Sequence, residues 1–213
     1  MHKKGFIVIS KRSLLQSTLA LALATGLGGA AMAQDKPLKI GVTAGPHAQI
    51  FEQVKKVADK QGLKIQVVEF SDYVQPNAAL AAGDLDANSY QHKPYLDAQI
   101  KDRGYPFAVA ANTVNFPIGI YSKKIKKLAD LKEGARFGIP NDPTNGGRVL
   151  LLLQAQGLIK LKDGAGLRAT PLDVVGNPKK LKFIELDAAQ LPRSLDDLDA
   201  SAINTNFALS AGL

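Results

Sequence analysis

Two stretches of this sequence gather polar side chains in an arrangement suited to binding. The first is Ile139-Pro140-Asn141-Asp142-Pro143-Thr144-Asn145-Gly146-Gly147-Arg148, which follows a strand-like pattern and opens a helical one. In an open α/β sheet, ligands settle where the carboxyl end of a strand meets a helix start. Asp142 can cap that helix and Pro143 can fill its first position, which uses up free amides, so an anion there would fall to Arg148. A guanidinium matches a carboxylate bidentately, Asn145 can donate or accept beside it, and Gly146 and Gly147 leave the approach open. The plainer alternative is a capped structural helix with Arg148 in solvent. The second stretch runs from Asp86 to Pro94 and sets Tyr90, Gln91 and His92 between a strand and a helix. Phe70 and Tyr73 close the preceding strand, so Phe70, Tyr73, Tyr90 and His92 could converge on one cleft. Aromatic faces suit an apolar or thioether side chain, since sulfur–aromatic contacts add roughly 0.3–1.5 kcal/mol. Against this, Phe70 and Tyr90 could equally be core residues and His92 a helix-entry residue.

Catalytic chemistry finds no support in the sequence. Of the three histidines, His2 lies in the leader, and His47 and His92 do not share a metal-ligand spacing. There is no G-x-S-x-G elbow, and the cluster Asp196, Asp197, Asp199 reads as a solvated turn. The phosphate loop G-x-x-x-x-G-K-[ST] is absent too, so neither a cofactor nor a metal is expected. With no cysteine in the chain, disulfides, thiolate metal sites and a lipid-modified cysteine are excluded. The net charge of +8 is partly a property of the leader, whose first 33 residues carry four basic groups and no acid, leaving 23 basic against 19 acidic. The run Lys123, Lys124, Lys126, Lys127 lacks interleaved aromatics, so no nucleic-acid partner is expected.

The elements that must position these residues alternate between strand and helix. Residues 1–33 read as a signal peptide: basic residues to Arg12, an apolar run from Leu14 to Gly29, and the small-x-small pattern Ala31-Met32-Ala33, with cleavage after Ala33. Its one-lysine variant of a twin-arginine pattern leaves the export route open. Strands are expected at Leu38–Val42, Ile65–Phe70, Ala87–Ser89, within the β-prone Phe107–Tyr121, and at Arg136–Ile139, Lys182–Leu186 and Ser201–Asn204. Helices are expected around Ile50–Ala58, ended by Gly62, then at Asn77–Ala82, from Pro94 to Gly104, from Pro143 to Gln156, near Ala189–Leu195, and from Asn206 onward. The alternation implies an α/β protein with mostly parallel, helix-covered sheets. A boundary near Asn112 divides it into an N-terminal lobe, 34–111, and a second lobe, 112–213. The end at Leu213 reads as a truncation that leaves the N-terminal lobe without part of its sheet.

Asp84-Leu85-Asp86-Ala87-Asn88, Gln91-His92-Lys93-Pro94-Tyr95-Leu96, Pro140-Asn141-Asp142-Pro143-Thr144-Asn145, Gln190-Leu191-Pro192-Arg193-Ser194 and Ile203-Asn204-Thr205 together closely resemble the methionine-binding protein family of ABC importers, across Leu38 to Leu213. The resemblance implies a two-lobed periplasmic binding protein, type II-like, that closes on a free amino acid in the cleft between its lobes. It implies L-methionine as ligand and delivery to an inner-membrane ABC permease with its ATPase. Carried onto this sequence, Arg148 would pair the ligand carboxylate, Asn145 and Asn204 would hold the polar end, and Phe70, Tyr73, Tyr90 and His92 would surround the thioether. Many members carry a lipidated cysteine and this chain has none, so it is expected to diffuse freely in the periplasm. Tyr90 replaces a phenylalanine frequent in the family, and its hydroxyl could favour a more polar ligand. Two other readings stay open: the same fold binding another amino acid, a short peptide or a sulfonate, and a surface interaction protein.

Overall fold

The computed structural model describes residues 36–213; the signal-peptide reading and its cleavage point fall outside them. Strand β1 (Leu38–Thr43) leads into α1 (Pro46–Lys60) through Gly45, whose φ of 92° favours glycine. The chain continues through β2 (Ile65–Phe70), α2 (Gln75–Ala82), β3 (Ala87–Ser89) and α3 (Lys93–Arg103). The three strands form one parallel sheet in the order β2-β1-β3, with Leu38 opposite Ile65 and Thr43 opposite Phe70. Its central strand β1 is buried from Ile40 to Thr43, and Ile40, Val42, Ala48, Ala58 and Ile65 make its core with α1. The outer face of α1 leaves Ile50, Val54 and Val57, spaced four and three residues apart, exposed.

The rest of the chain forms β4 (Ile118–Tyr121), β5 (Arg136–Pro140), α4 (Asn145–Ala155), β6 (Lys160–Leu161), β7 (Val174–Gly176), β8 (Lys182–Leu186), β9 (Ala200–Asn204) and α5 (Thr205–Ser210). Its main sheet runs β4-β9-β5-β8, parallel except for β4, which is antiparallel to β9; β6 and β7 form a separate antiparallel pair. The core is larger here, with Phe137, Ile139, Val149, Leu150 and Leu153 fully buried between sheet and α4. The architecture is mixed α/β with mainly parallel sheets, as the alternation of strands and helices in the sequence implies. No helix among the described residues is long and apolar enough to cross a membrane.

Several elements differ from the sequence reading. Helix α4 starts at Asn145, two residues after the expected Pro143, because Asp142 Oδ1 accepts from the amides of Thr144 (3.2 Å) and Asn145 (2.8 Å) and closes a turn ahead of the helix. The segment around Ala189–Leu195 forms turns and a 3₁₀ helix at Arg193–Asp196 instead of an α-helix. Of the β-prone Phe107–Tyr121, only Ile118–Tyr121 pairs, while residues 108–115 are exposed, outside any helix or strand, and have no partner strand among the described residues. The β6–β7 pair, only two and three residues long, had no periodicity to announce it.

Candidate functional site

Helix α4 begins at the carboxyl end of β5, and its first residue is the centre of a polar hub. The Asn145 side-chain oxygen accepts from the Arg148 guanidinium (2.7 Å), from His92 Nε2 (3.1 Å) and from Asn204 Nδ2 (3.3 Å). Its amide nitrogen donates to Asp142 Oδ2 at 2.8 Å, so a donor-only arginine on one side and a carboxylate on the other fix which way the amide points. The His92 tautomer is fixed in the same manner: Nδ1 accepts from the Tyr95 amide (3.1 Å), so Nε2 carries the proton and donates to Asn145. Burial lowers the pKa of His92 against the opposing pull of the Asn145 hydrogen bond, which keeps the ring neutral near pH 7. Burial also lowers that of Arg148, opposed by Tyr73 and Asp142, although a guanidinium stays charged throughout the physiological range.

Beside this hub Tyr73, Tyr90, Gln91, His92, Tyr95, Asn145 and Asn204 line a cavity of about 30 Å³. The Tyr73 carbonyl accepts from both the Tyr90 hydroxyl (3.1 Å) and the Tyr95 hydroxyl (2.9 Å), which ties the loop after β2 to the start of α3. That narrows the expectation for Tyr90: its hydroxyl proton is committed to the Tyr73 carbonyl, so toward a ligand it offers no donor. Burial raises the pKa values of Tyr73, Tyr90 and Tyr95, so all three remain neutral donors. Buried Asn77 donates to Gln91 Oε1 (2.9 Å) and accepts from Asn88 Nδ2 (2.9 Å), bracing the segment that presents Tyr90 and His92. A wider depression of about 440 Å³, lined by Leu151, Gln154, Lys160, Lys162 and the 163–166 turn, lies behind α4. It gathers no convergent buried polar groups, and the small cavity at the hub is the candidate site.

A family model described as NlpA lipoprotein matches residues 38–213. The chain belongs to the NlpA lipoprotein family. The probable D-methionine-binding lipoprotein MetQ of Vibrio cholerae is 57% identical over 198 residues, which are 92% of this chain and 72% of that protein. The D-methionine-binding lipoprotein MetQ of Escherichia coli is 58% identical over 179 residues, 83% of this chain and 66% of that protein, so the chain spans slightly under two thirds of the latter. Among solved structures, a nutrient binding protein from Burkholderia cenocepacia bound to methionine superposes with a TM-score of 0.81 at 59% identity, covering 83% of this chain and 75% of that one.

In this NlpA family member the structure brings together five of the seven expected residues, Tyr73, Tyr90, His92, Asn145 and Asn204, around the cavity. Arg148 is joined to it through Asn145, and its second nitrogen reaches the Phe116 carbonyl at 3.4 Å. Phe70 does not line the cavity; its ring lies over β1, 3.1 Å from where a Cβ on Gly41 would stand. The glycines after Asn145 serve packing: a Cβ on Gly146 would meet the Pro140 carbonyl oxygen at 2.6 Å and one on Gly147 the Leu167 carbonyl oxygen at 2.1 Å. Sequence reasoning missed Tyr95 and Asn206, although Tyr95 stands three residues after His92, within a quoted string. Asn206, 5% exposed, accepts from the Tyr73 hydroxyl and leaves its Nδ2 without a partner; Asn204 Oδ1 and Thr144 Oγ1 are likewise buried and unpartnered. Such atoms cost free energy unless something else satisfies them.

Proposed function

We propose that this chain is an amino-acid-binding protein that captures methionine, chiefly L-methionine, between its lobes and hands it to an ABC permease with its ATPase. The observation that carries the reading is the convergence of Arg148, His92 and Asn204 on one amide oxygen beside a tyrosine-walled cavity. A ligand carboxylate offers those donors more acceptor capacity than one amide oxygen does, and unpartnered Asn204 Oδ1 suits an ammonium. Tyr73, Tyr90 and Tyr95 supply the faces for a thioether. Relatives named for D-methionine, and a structural neighbour bound to methionine, support the same ligand.

A cavity of about 30 Å³ has room for little more than one water molecule, so an amino acid enters by parting the lobes, which then close around it. In this reading 34–111 and 112–213 are the two lobes, residues 1–33 direct export, and the protein acts in the periplasm without a lipid anchor and without catalysing a reaction. The test is calorimetric titration of L-methionine, D-methionine and a panel of other amino acids and sulfonates, with Arg148→Ala beside the parent. Methionine should bind best, and Arg148→Ala should weaken it at least about 30-fold, corresponding to roughly 2 kcal/mol or more for removing one partner of a buried charge pair. Preference for another panel member would replace the ligand and leave the fold intact. If no small molecule binds, the capture function is wrong.

A further inference from the structure

Among the described residues, three side-chain polar contacts join β1–α3 of the first lobe to β5–α5 of the second. Two belong to the cavity: His92 to Asn145, and Tyr73 to Asn206, the latter with Tyr73 packed on Phe207 at 4.9 Å between ring centroids. The third does not. Asp102, in the last turn of α3, accepts from Arg168 at 3.0 Å, and Arg168 closes the 3₁₀ turn Gly166–Arg168. That turn is held against α4, since Gly147 has no side chain to keep the Leu167 backbone away. Helix α3 therefore meets the second lobe at both ends, through His92 at its N-cap and through Asp102 ten residues on, about 15 Å away at 1.5 Å per residue. Both contacts end on one packed unit, α4 with the turn seated on it. A single contact would leave α3 free to pivot about the hub, whereas two of them fix its orientation.

We propose that Asp102 and Arg168 are positioning residues for the ligand cleft: they form an electrostatic latch, outside the cavity, that sets how much of the protein is closed and hence its apparent affinity. The inference rests on the reading that the lobes part to admit ligand. A ligand that binds only the closed form has its apparent dissociation constant divided by the closed fraction, so a residue touching no ligand atom changes affinity through that fraction. The pair is partly exposed, with side-chain accessibilities of 53% for Arg168 and 35% for Asp102, so its contribution is small and sensitive to salt.

The chain has no cysteine, so Lys56→Cys on α1 and Lys160→Cys on β6 can carry a unique pair of spin labels. In this background, Asp102→Asn and Arg168→Gln should each move the ligand-free distance distribution toward the open form and weaken methionine binding about two- to five-fold, as expected for a partly exposed pair. The charge exchange Asp102→Arg with Arg168→Asp should restore both. At 1 M NaCl the parent should behave like the single variants, which should change little with salt. Unchanged distances in both single variants, or an exchange that restores nothing, would overturn the latch. Because the distances are read without ligand, a protein that shows the latch but ignores methionine would sink the ligand assignment alone.

Discussion

Asn145 has one side-chain oxygen with two lone pairs, yet Arg148, His92 and Asn204 all point donors at it. In the proposed reading that crowding lets a hub hydrogen-bonded within the protein yield to a ligand, because an arriving carboxylate would relieve an over-subscribed acceptor. His92 is the member whose charge can change. Its folded-state pKa is depressed below 6.5 by burial, so as pH falls the unfolded chain takes up a proton first. The stability contributed by neutral His92 is therefore fully present above about pH 6.5 and is lost as pH falls through the folded value. Protonation would cost Nδ1 its bond from the Tyr95 amide and set a cation near Arg148. His47, buried and also depressed by burial, acts in the same window, so the check is comparative. Melting temperatures between pH 5 and 7 should vary less steeply for His92→Phe than for the parent; equal slopes would mean that His92 takes up its proton as readily in the folded protein as in the unfolded chain. At this scale the sequence revealed residue types well and contacts poorly. Arg148 and Asn145 stood out because an arginine and an amide at a helix start are informative alone. Asn206 did not, because its role depends on Tyr73, 133 positions away.

Elements were legible where a local rule sufficed. Gly83 and Gly104 end α2 and α3 with positive φ, and Pro94 opens α3 after His92, which caps it by accepting from Tyr95. The reading failed where pairing decides the structure: residues 108–115 have strand-like composition, and composition cannot supply a partner strand. It failed more subtly at α4, where the sequence licensed Pro143 as first residue but the Asp142 turn delays the helix to Asn145. That delay puts Asn145, Gly146 and Gly147 in the first helical turn, the two glycines against neighbouring backbone. Gly147→Ala gains about 1 kcal/mol of helix propensity but drives a Cβ into the Leu167 carbonyl, and overpacking against backbone costs about 1–3 kcal/mol. A Cβ at 2.1 Å from backbone puts the cost at the upper end of that range, about 3 kcal/mol, so the net expectation is a loss of about 2 kcal/mol in urea denaturation, with weakened methionine binding because the displaced turn carries Arg168. A variant as stable as the parent would show that the turn moves aside freely, and would loosen its claim to anchor α3.

On the scale of the whole molecule, the two lobes of the proposed reading are unequal. The first buries a cluster of five core residues and leaves Ile50, Val54 and Val57 exposed, whereas the second buries fourteen in its main cluster. With so few polar contacts between them, the first lobe should melt at the lower temperature unless a ligand bridges the two. Four of the five tyrosines lie before residue 112 and there is no tryptophan, so near-ultraviolet dichroism reports chiefly on the first lobe while far-ultraviolet dichroism averages over both. Without methionine the near-ultraviolet transition should precede the far-ultraviolet midpoint. Methionine at 100 times its dissociation constant adds about 2.7 kcal/mol to any unit whose folding it requires, which for a protein of this size raises the melting temperature by about 5–11 °C. The ligand touches both lobes in the proposed reading, so that gain falls mainly on the weaker one and brings the two transitions together. Coincident transitions in the absence of methionine would show that the lobes already unfold as one unit, and that closure owes little to what the cleft holds.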